Sequence, residues 1–254
     1  MSLVLVLVSA LWGCGRTSDT AKVEATKPEP PAVVTPCTYE EGREACTLKC
    51  DRGSNESCAV LGLMYLRGDV MKTDYPKAKA LLERACAADV AVGCGGLGSL
   101  YGAVEKDFAR ARPMFEKGCS RGDPLSCESL GGIEAGADGH KVDDHLAASR
   151  RANVYYRRAC ELGSGPGCAF AAVMIADKTV EGQMSESLDL YMKACGRGVG
   201  MACRHGAKFL NKDTPEWKQV AATVDSTQLT ADLLERGCKA GDVESCKLQA
   251  PRGQ

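Results

Sequence analysis

The stretch Ala78-Lys79-Ala80-Leu81-Leu82-Glu83-Arg84-Ala85-Cys86 is followed eight residues later by Cys94-Gly95-Gly96-Leu97-Gly98-Ser99-Leu100-Tyr101, and this pairing decides the fold. Ala78, Leu81, Leu82 and Ala85 recur at three- and four-residue intervals with Lys, Glu and Arg between them, the pattern of a one-sided amphipathic helix. The same unit returns along the chain. Twelve of the fifteen cysteines form pairs eight residues apart: Cys50 with Cys58, Cys86 with Cys94, Cys119 with Cys127, Cys160 with Cys168, Cys195 with Cys203 and Cys238 with Cys246. The pairs recur every 33 to 43 residues, the period of a solenoid built from two-helix units.

Within each unit the turn is written three residues after the first Cys. Gly53, Gly122, Gly163, Gly198 and Gly241 stand there, with Asp89 in the second unit. Glycine just past a helix end takes the left-handed cap conformation at no steric cost. A second helix is expected to start near the second Cys. Eight residues of continuous helix would hold the sulfurs' Cα atoms ~12 Å apart, whereas a disulfide needs about 4.4–6.8 Å. The turn folds the second helix back beside the first, so each pair can close its own hairpin. Zinc ligation favours a shorter Cys spacing, and redox catalysis needs one reactive pair. Structural disulfides are therefore the reading for these twelve.

Three cysteines remain. Leu3 to Trp12 is an apolar run of signal-peptide length, and Leu11-Trp12-Gly13-Cys14 resembles a lipoprotein cleavage box. The expectation is a signal peptide over 1–13 and lipidation of Cys14. Trp12 is bulky for such a box and no cation precedes the run, which leaves ordinary cleavage or a structural Cys14 open. Residues 14–36 read as a lipid-anchored tether, because Lys27-Pro28-Glu29-Pro30-Pro31 favours extended backbone. The remaining even number of cysteines pairs Cys37 with Cys46 across a break at Gly42, with a helix beginning near Arg43; exchange with Cys50 or Cys58 stays open. Residues 37–254 are then the solenoid, about six repeats.

The unit of Ala-Cys or Ala-x-x-Cys, a Gly turn, a second Cys and Leu61-Gly62-Leu63-Met64-Tyr65 or Leu97-Gly98-Ser99-Leu100-Tyr101 resembles a Sel1-like repeat with two added cysteines. It is most similar to the Helicobacter cysteine-rich protein family. The likeness covers about residues 43–248 and fades in later units, where Gly131-Gly132-Ile133-Glu134 and Gly206-Ala207-Lys208-Phe209 fit less well. The resemblance implies an all-α, right-handed α/α superhelical solenoid of TPR-like hairpins, each clipped by a disulfide, with a concave face. It also implies β-lactam binding or weak β-lactamase activity. Longer connections at 136–147 and 211–228 interrupt the regular units, and the last second helix is expected to be a stub.

Composition bounds the function. The formal net charge is −1, which lacks the basic excess with which nucleic-acid binders displace counterions. No Ser-x-x-Lys, Lys-Thr-Gly or Ser-Asp-Asn is present, so the residues themselves do not supply a serine β-lactamase apparatus. The three histidines, His140, His145 and His205, have no zincin spacing. Gly139-His140-Lys141-Val142-Asp143-Asp144-His145 could hold a cation, but a solvated polar loop is the ordinary reading, and no catalytic residue, metal or cofactor is assigned. A protein or peptide scaffold at the cell envelope, monomeric, and facing the periplasm or on the outer membrane, is the preferred reading; soluble secretion and β-lactam hydrolysis are the alternatives. Met64, Tyr65, Tyr101, Tyr155 and Tyr156 are candidates to line its groove, against the commoner role of such residues in inter-repeat core.

Overall fold

The computed structural model describes residues 34–249 apart from 69–71, 137–138, 140 and 142. The proposed signal peptide, Cys14 and nearly all of the tether lie outside the described residues. Among the described residues there are thirteen α-helices and no strand.

Twelve helices pair into six hairpins: α1 (Gly42–Asp51) with α2 (Asn55–Arg67), α3 (Tyr75–Ala87) with α4 (Ala91–Ser99), and α5 (Phe108–Ser120) with α6 (Pro124–Glu134). There follow α7 (His145–Glu161) with α8 (Gly165–Ala176), and α9 (Met184–Gly196) with α10 (Gly200–Leu210). The short helix α11 (Pro215–Ala221) precedes the last pair, α12 (Ser226–Lys239) with α13 (Val243–Gln249). Each second helix packs on the first helix of the next hairpin, α2 on α3, α4 on α5, α6 on α7 and α8 on α9, which makes a solenoid.

The turn is the same in every hairpin. The residue three past the first Cys has positive φ, from +82° to +102° at the five glycines and 60° at Asp89. That conformation lets the amide three residues past the helix end reach back to a carbonyl five residues earlier, as in Ser54 N to Lys49 O (3.0 Å), Val90 N to Ala85 O (3.0 Å) and Asp123 N to Gly118 O (2.9 Å). Asp89 takes the glycine's place because a short polar side chain tolerates the left-handed region. The second helix starts three residues before the second Cys, earlier than expected, because Ser54, Asp123, Ser164 and Asp242 cap it by accepting from the backbone amide three residues on.

The turns bring every repeat pair within bonding distance. Cys50 is bonded to Cys58, Cys86 to Cys94, Cys119 to Cys127, Cys160 to Cys168, Cys195 to Cys203 and Cys238 to Cys246, with Cα atoms 4.5–4.7 Å apart. Cys37 bonds Cys46, with Cα atoms 5.2 Å apart, folding the lead-in onto α1 where Gly42 takes φ +78°. The exchange with Cys50 or Cys58 that the spacing left open does not occur, since those two close the first hairpin.

In four of the six hairpins the close approach is met by a glycine before one of the two cysteines; in α9 and α10 the same positions are Ala194 and Ala202, both buried. The residues preceding the two cysteines face one another: Ala85 meets Gly93, Ala159 meets Gly167, Gly118 meets Ser126 and Gly237 meets Ser245. A Cβ on Gly93 would sit 2.6 Å from the Ala85 Cβ, and one on Gly167 would sit 2.7 Å from that of Ala159. Neighbouring hairpins are joined by cations that cap helix C-termini. Lys117 Nζ donates to Cys86 O (2.8 Å), Arg84 Nη2 to Cys50 O (3.2 Å) and Arg197 Nη1 to Cys160 O (2.8 Å). Glu134 is buried and joins repeats three and four by accepting from both Arg112 and Arg151 at 2.6 Å.

Two features depart from the sequence reading. The second helix of repeat two continues into a π-turn at Leu100–Val104. The 211–228 connection is largely helical, because α11 forms within it.

Candidate functional site

A cleft of about 860 Å³ lies beside repeats four and five. Its walls are α7, the α8–α9 connection and α11. The aromatic chain that fixes α11 explains why the wall stands there. Trp217 is buried and stacks on Phe209 at 4.7 Å, and Phe209 stacks on Tyr191 at 5.3 Å. Pro215 starts α11 at a position where its missing N–H costs nothing. The connection is tied back to α8 by bonds to Met174 O from Thr179 N (3.0 Å) and Val180 N (3.2 Å). Gly182 lets it lie close to the floor, since a Cβ there would come within 3.0 Å of Ile175.

The floor is apolar, made by Ile175, Val180, Met184 and Val220. The rim is polar and electrically balanced. Arg150 meets Glu181 at 3.5 Å, and Lys178 meets Glu216 at 2.9 Å. Hydrogen bonding from Lys178 holds the Glu216 carboxyl below its ordinary proton affinity. Gln183 and Gln219 add two exposed carboxamides. Gln183 Oε1 accepts from Ser185 Oγ at 3.5 Å, while the Gln219 side chain makes no hydrogen bond to another described residue. A carboxamide offers both donors and an acceptor, the complement of a peptide group. A cleft with an apolar floor and two such amides suits an extended segment of polypeptide.

The groove candidates read from sequence fall elsewhere. Met64, Tyr101 and Tyr156 are buried, and Tyr65 and Tyr155 pack against the same cores. Met64, Tyr65 and Tyr101 lie under the first helix of the next hairpin, and Tyr156 lies against Gly131 of the preceding α6, so these residues belong to inter-repeat core. Tyr101 is also flanked by the cations of Lys79 (5.1 Å) and Arg110 (4.6 Å). His140 lies outside the described residues, and His145 begins α7. His205 stacks on Tyr191 at 5.9 Å, and burial, then Arg204 and Lys208, lower its proton affinity. Among the described residues no three His, Cys, Asp or Glu side chains gather as a metal site. Sequence reasoning missed the cleft; its one signal was a Trp inside a polar connection.

The geometry defines a disulfide-clipped solenoid of helical hairpins. The Sel1 repeat family model matches residues 55–90, 91–123 and 126–164, so the chain carries three Sel1 repeats over less than half of its length, and its disulfide-clipped hairpins fit the cysteine-rich group. No curated protein matches the sequence significantly. Among solved structures, a Sel1 repeat protein from Oxalobacter formigenes superposes with a TM-score of 0.64 at 22% identity, over 83% of this chain and 84% of its own. The protective antigen c5321 of uropathogenic Escherichia coli, which displays an SLR fold, gives 0.60 at 17% identity, and the match spans 81% of this chain but 43% of that one. Immunity protein Pa5087 of Pseudomonas aeruginosa gives 0.54 at 18% identity, over 84% and 80% of the two chains. These likenesses concern the fold alone.

Proposed function

We propose that the protein is an exported scaffold that holds an extended segment of another protein in the α7–α11 cleft. The observation that carries this reading is the cleft itself, with its apolar floor between Gln183 and Gln219. Its volume lies within the ~300–1,000 Å³ common for binding sites, enough for a few residues of extended chain. Sel1 repeat proteins generally bind proteins, and solenoids do so through extended surfaces. Seven disulfides suit an oxidising compartment. Export through the 1–13 signal, lipidation at Cys14 and a tether to residue 36 would hold the cleft off the outer membrane, facing the periplasm.

The test is site-specific photo-cross-linking in the cell from Gln219, with exposed Ala80 on α3 as the control position. A discrete adduct from Gln219, absent from Ala80 and lost on Met184→Arg, is expected. Equal adducts from both positions would sink the reading. Turnover of a chromogenic cephalosporin by the purified oxidised chain would move the assignment to β-lactam hydrolysis; none is expected.

A further inference from the structure

The second helices change character along the solenoid. At the positions two and five residues past the second Cys, α4 carries Gly96 and Ser99, and α6 carries Ser129 and Gly132. The bare backbone at Gly95 and Gly96 leaves a depression of about 270 Å³ between walls that include Leu63, Leu66 and Leu125. The same positions of α8 carry Phe170, 49% exposed, and Val173. From Gly165 to Ala176 this helix has no charged residue.

On α10 the face turns basic. No acidic residue occurs from Val199 to Lys212; Arg204 and Lys208 stand four residues apart on one side of α10, and Lys212 follows two residues past its end. Like charges at that spacing on a helix repel. Arg204 is neutralised by Asp242 at 3.0 Å, and Glu244 is engaged by Lys247 at 2.8 Å. Lys208 and Lys212 have no carboxylate within ion-pair distance among the described residues, and Lys212 Nζ rests 3.8 Å from the centroid of Phe209. Asp177, at the end of α8, and Asp213, which follows Lys212 and pairs with Lys218, are further nearby acids. An uncharged helix with a half-exposed aromatic ring, stacked on Tyr156, is thus followed in the next repeat by two cations without an ion-pair partner among the described residues.

We propose that this face docks an acidic protein segment with apolar anchors. Its carboxylates lie over Lys208 and Lys212, and its apolar side chains lie against Phe170 and in the depression over α4. A lipid surface or a nucleic acid engages a broad cationic area; two free cations beside an uncharged helix match a short acidic motif instead. None of Phe170, Lys208 and Lys212 lines the α7–α11 cleft, so this surface stands independently of the function proposed for it.

The experiment is selection of random sixteen-residue peptides displayed on phage against the immobilised, oxidised full chain. Selected peptides are synthesised with a fluorophore and their binding is read by anisotropy. Expected is enrichment of Asp and Glu beside aromatic or aliphatic residues, with affinity falling as salt rises. K208E/K212E, both exposed positions, should weaken binding about tenfold or more, as should F170A. Q183A/Q219A should leave it unchanged, which separates this surface from the cleft. Circular dichroism verifies that each variant is folded. Selection of peptides without acidic enrichment, or equal binding by K208E/K212E, would overturn the proposal. So would binding of the chain to anionic phosphatidylglycerol vesicles with no acidic peptide recovered.

Discussion

Gly93→Ala tests the packing rule of the hairpins. The added Cβ would sit 2.6 Å from the Ala85 Cβ, 3.1 Å from Cys86 N and 3.2 Å from the Ala85 carbonyl carbon. The Cys86–Cys94 bridge, which holds the two Cα atoms 4.5 Å apart one residue away, limits how far these neighbours can retreat. Overpacking of this kind costs about 2 kcal/mol, within a usual range of ~1–3. Alanine inside a helix recovers about 1 kcal/mol relative to glycine, so the net loss is about 1 kcal/mol. Gly196→Ala is the control, since a Cβ there meets nothing within 4 Å; it should gain up to ~1 kcal/mol. The double variant Ala85→Gly/Gly93→Ala moves the methyl to the other helix, the arrangement that Gly118 and Ser126 already show. It should recover most of the loss, giving a coupling of at least ~1 kcal/mol. Guanidinium unfolding of the oxidised chain, with hydrogen exchange at the α3 and α4 amides, measures all three. If Gly93→Ala and Gly196→Ala shift stability in the same direction, or the double variant is no better than the single, steric apposition does not govern the hairpins.

Glu134→Gln should destabilise the chain by about 1–3 kcal/mol, since a charge-assisted contact to two arginines is lost at a buried position. Burial pushes the Glu134 carboxyl up, but hydrogen bonds from Arg151 and Arg112 outweigh it and leave its pKa below the ordinary value. Its contribution is therefore complete above the unfolded carboxylate pKa and is lost as pH falls through the lowered folded value; a pH series of unfolding midpoints for wild type and variant, failing to converge at low pH, would contradict this. Replacing Cys119 and Cys127 together by Ser should cost about 2.6 kcal/mol, the entropy of closing a nine-residue loop, read as a drop in Tm that the reduced wild type also shows. Trp217→Ala should free α11 from Phe209, raise exchange at the Pro215–Ala221 amides and abolish cross-linking from Gln219, while exchange in α3 and α4 is unchanged.

The hairpins were legible in the sequence because everything that makes them is local. The apolar spacing before Cys86, the turn residue three beyond it and the partner cysteine all fall within about seventeen residues, and each acts through backbone conformation or a short covalent loop. The same locality made the later bridges of Cys168, Cys203 and Cys246 readable even where the rest of the repeat pattern fades. Asp89 was legible only as a gap in the glycine pattern, and the structure shows it adopting the same positive φ. Whether an aromatic faces a groove or a core was not legible. Met64, Tyr101 and Tyr156 sit on apolar faces in either case, and what covers them is a helix from another repeat. The cleft was invisible for the same reason. Gln183 and Gln219 lie 36 residues apart in connections without periodicity, and they share a cleft only because Trp217 stacks on Phe209 and the 178–182 backbone folds onto α8. By itself the sequence determined the repeat, its period and its turns, since those are decided within one hairpin. Tertiary structure alone decided the interaction surfaces, because burial and concavity are properties of how hairpins cover one another.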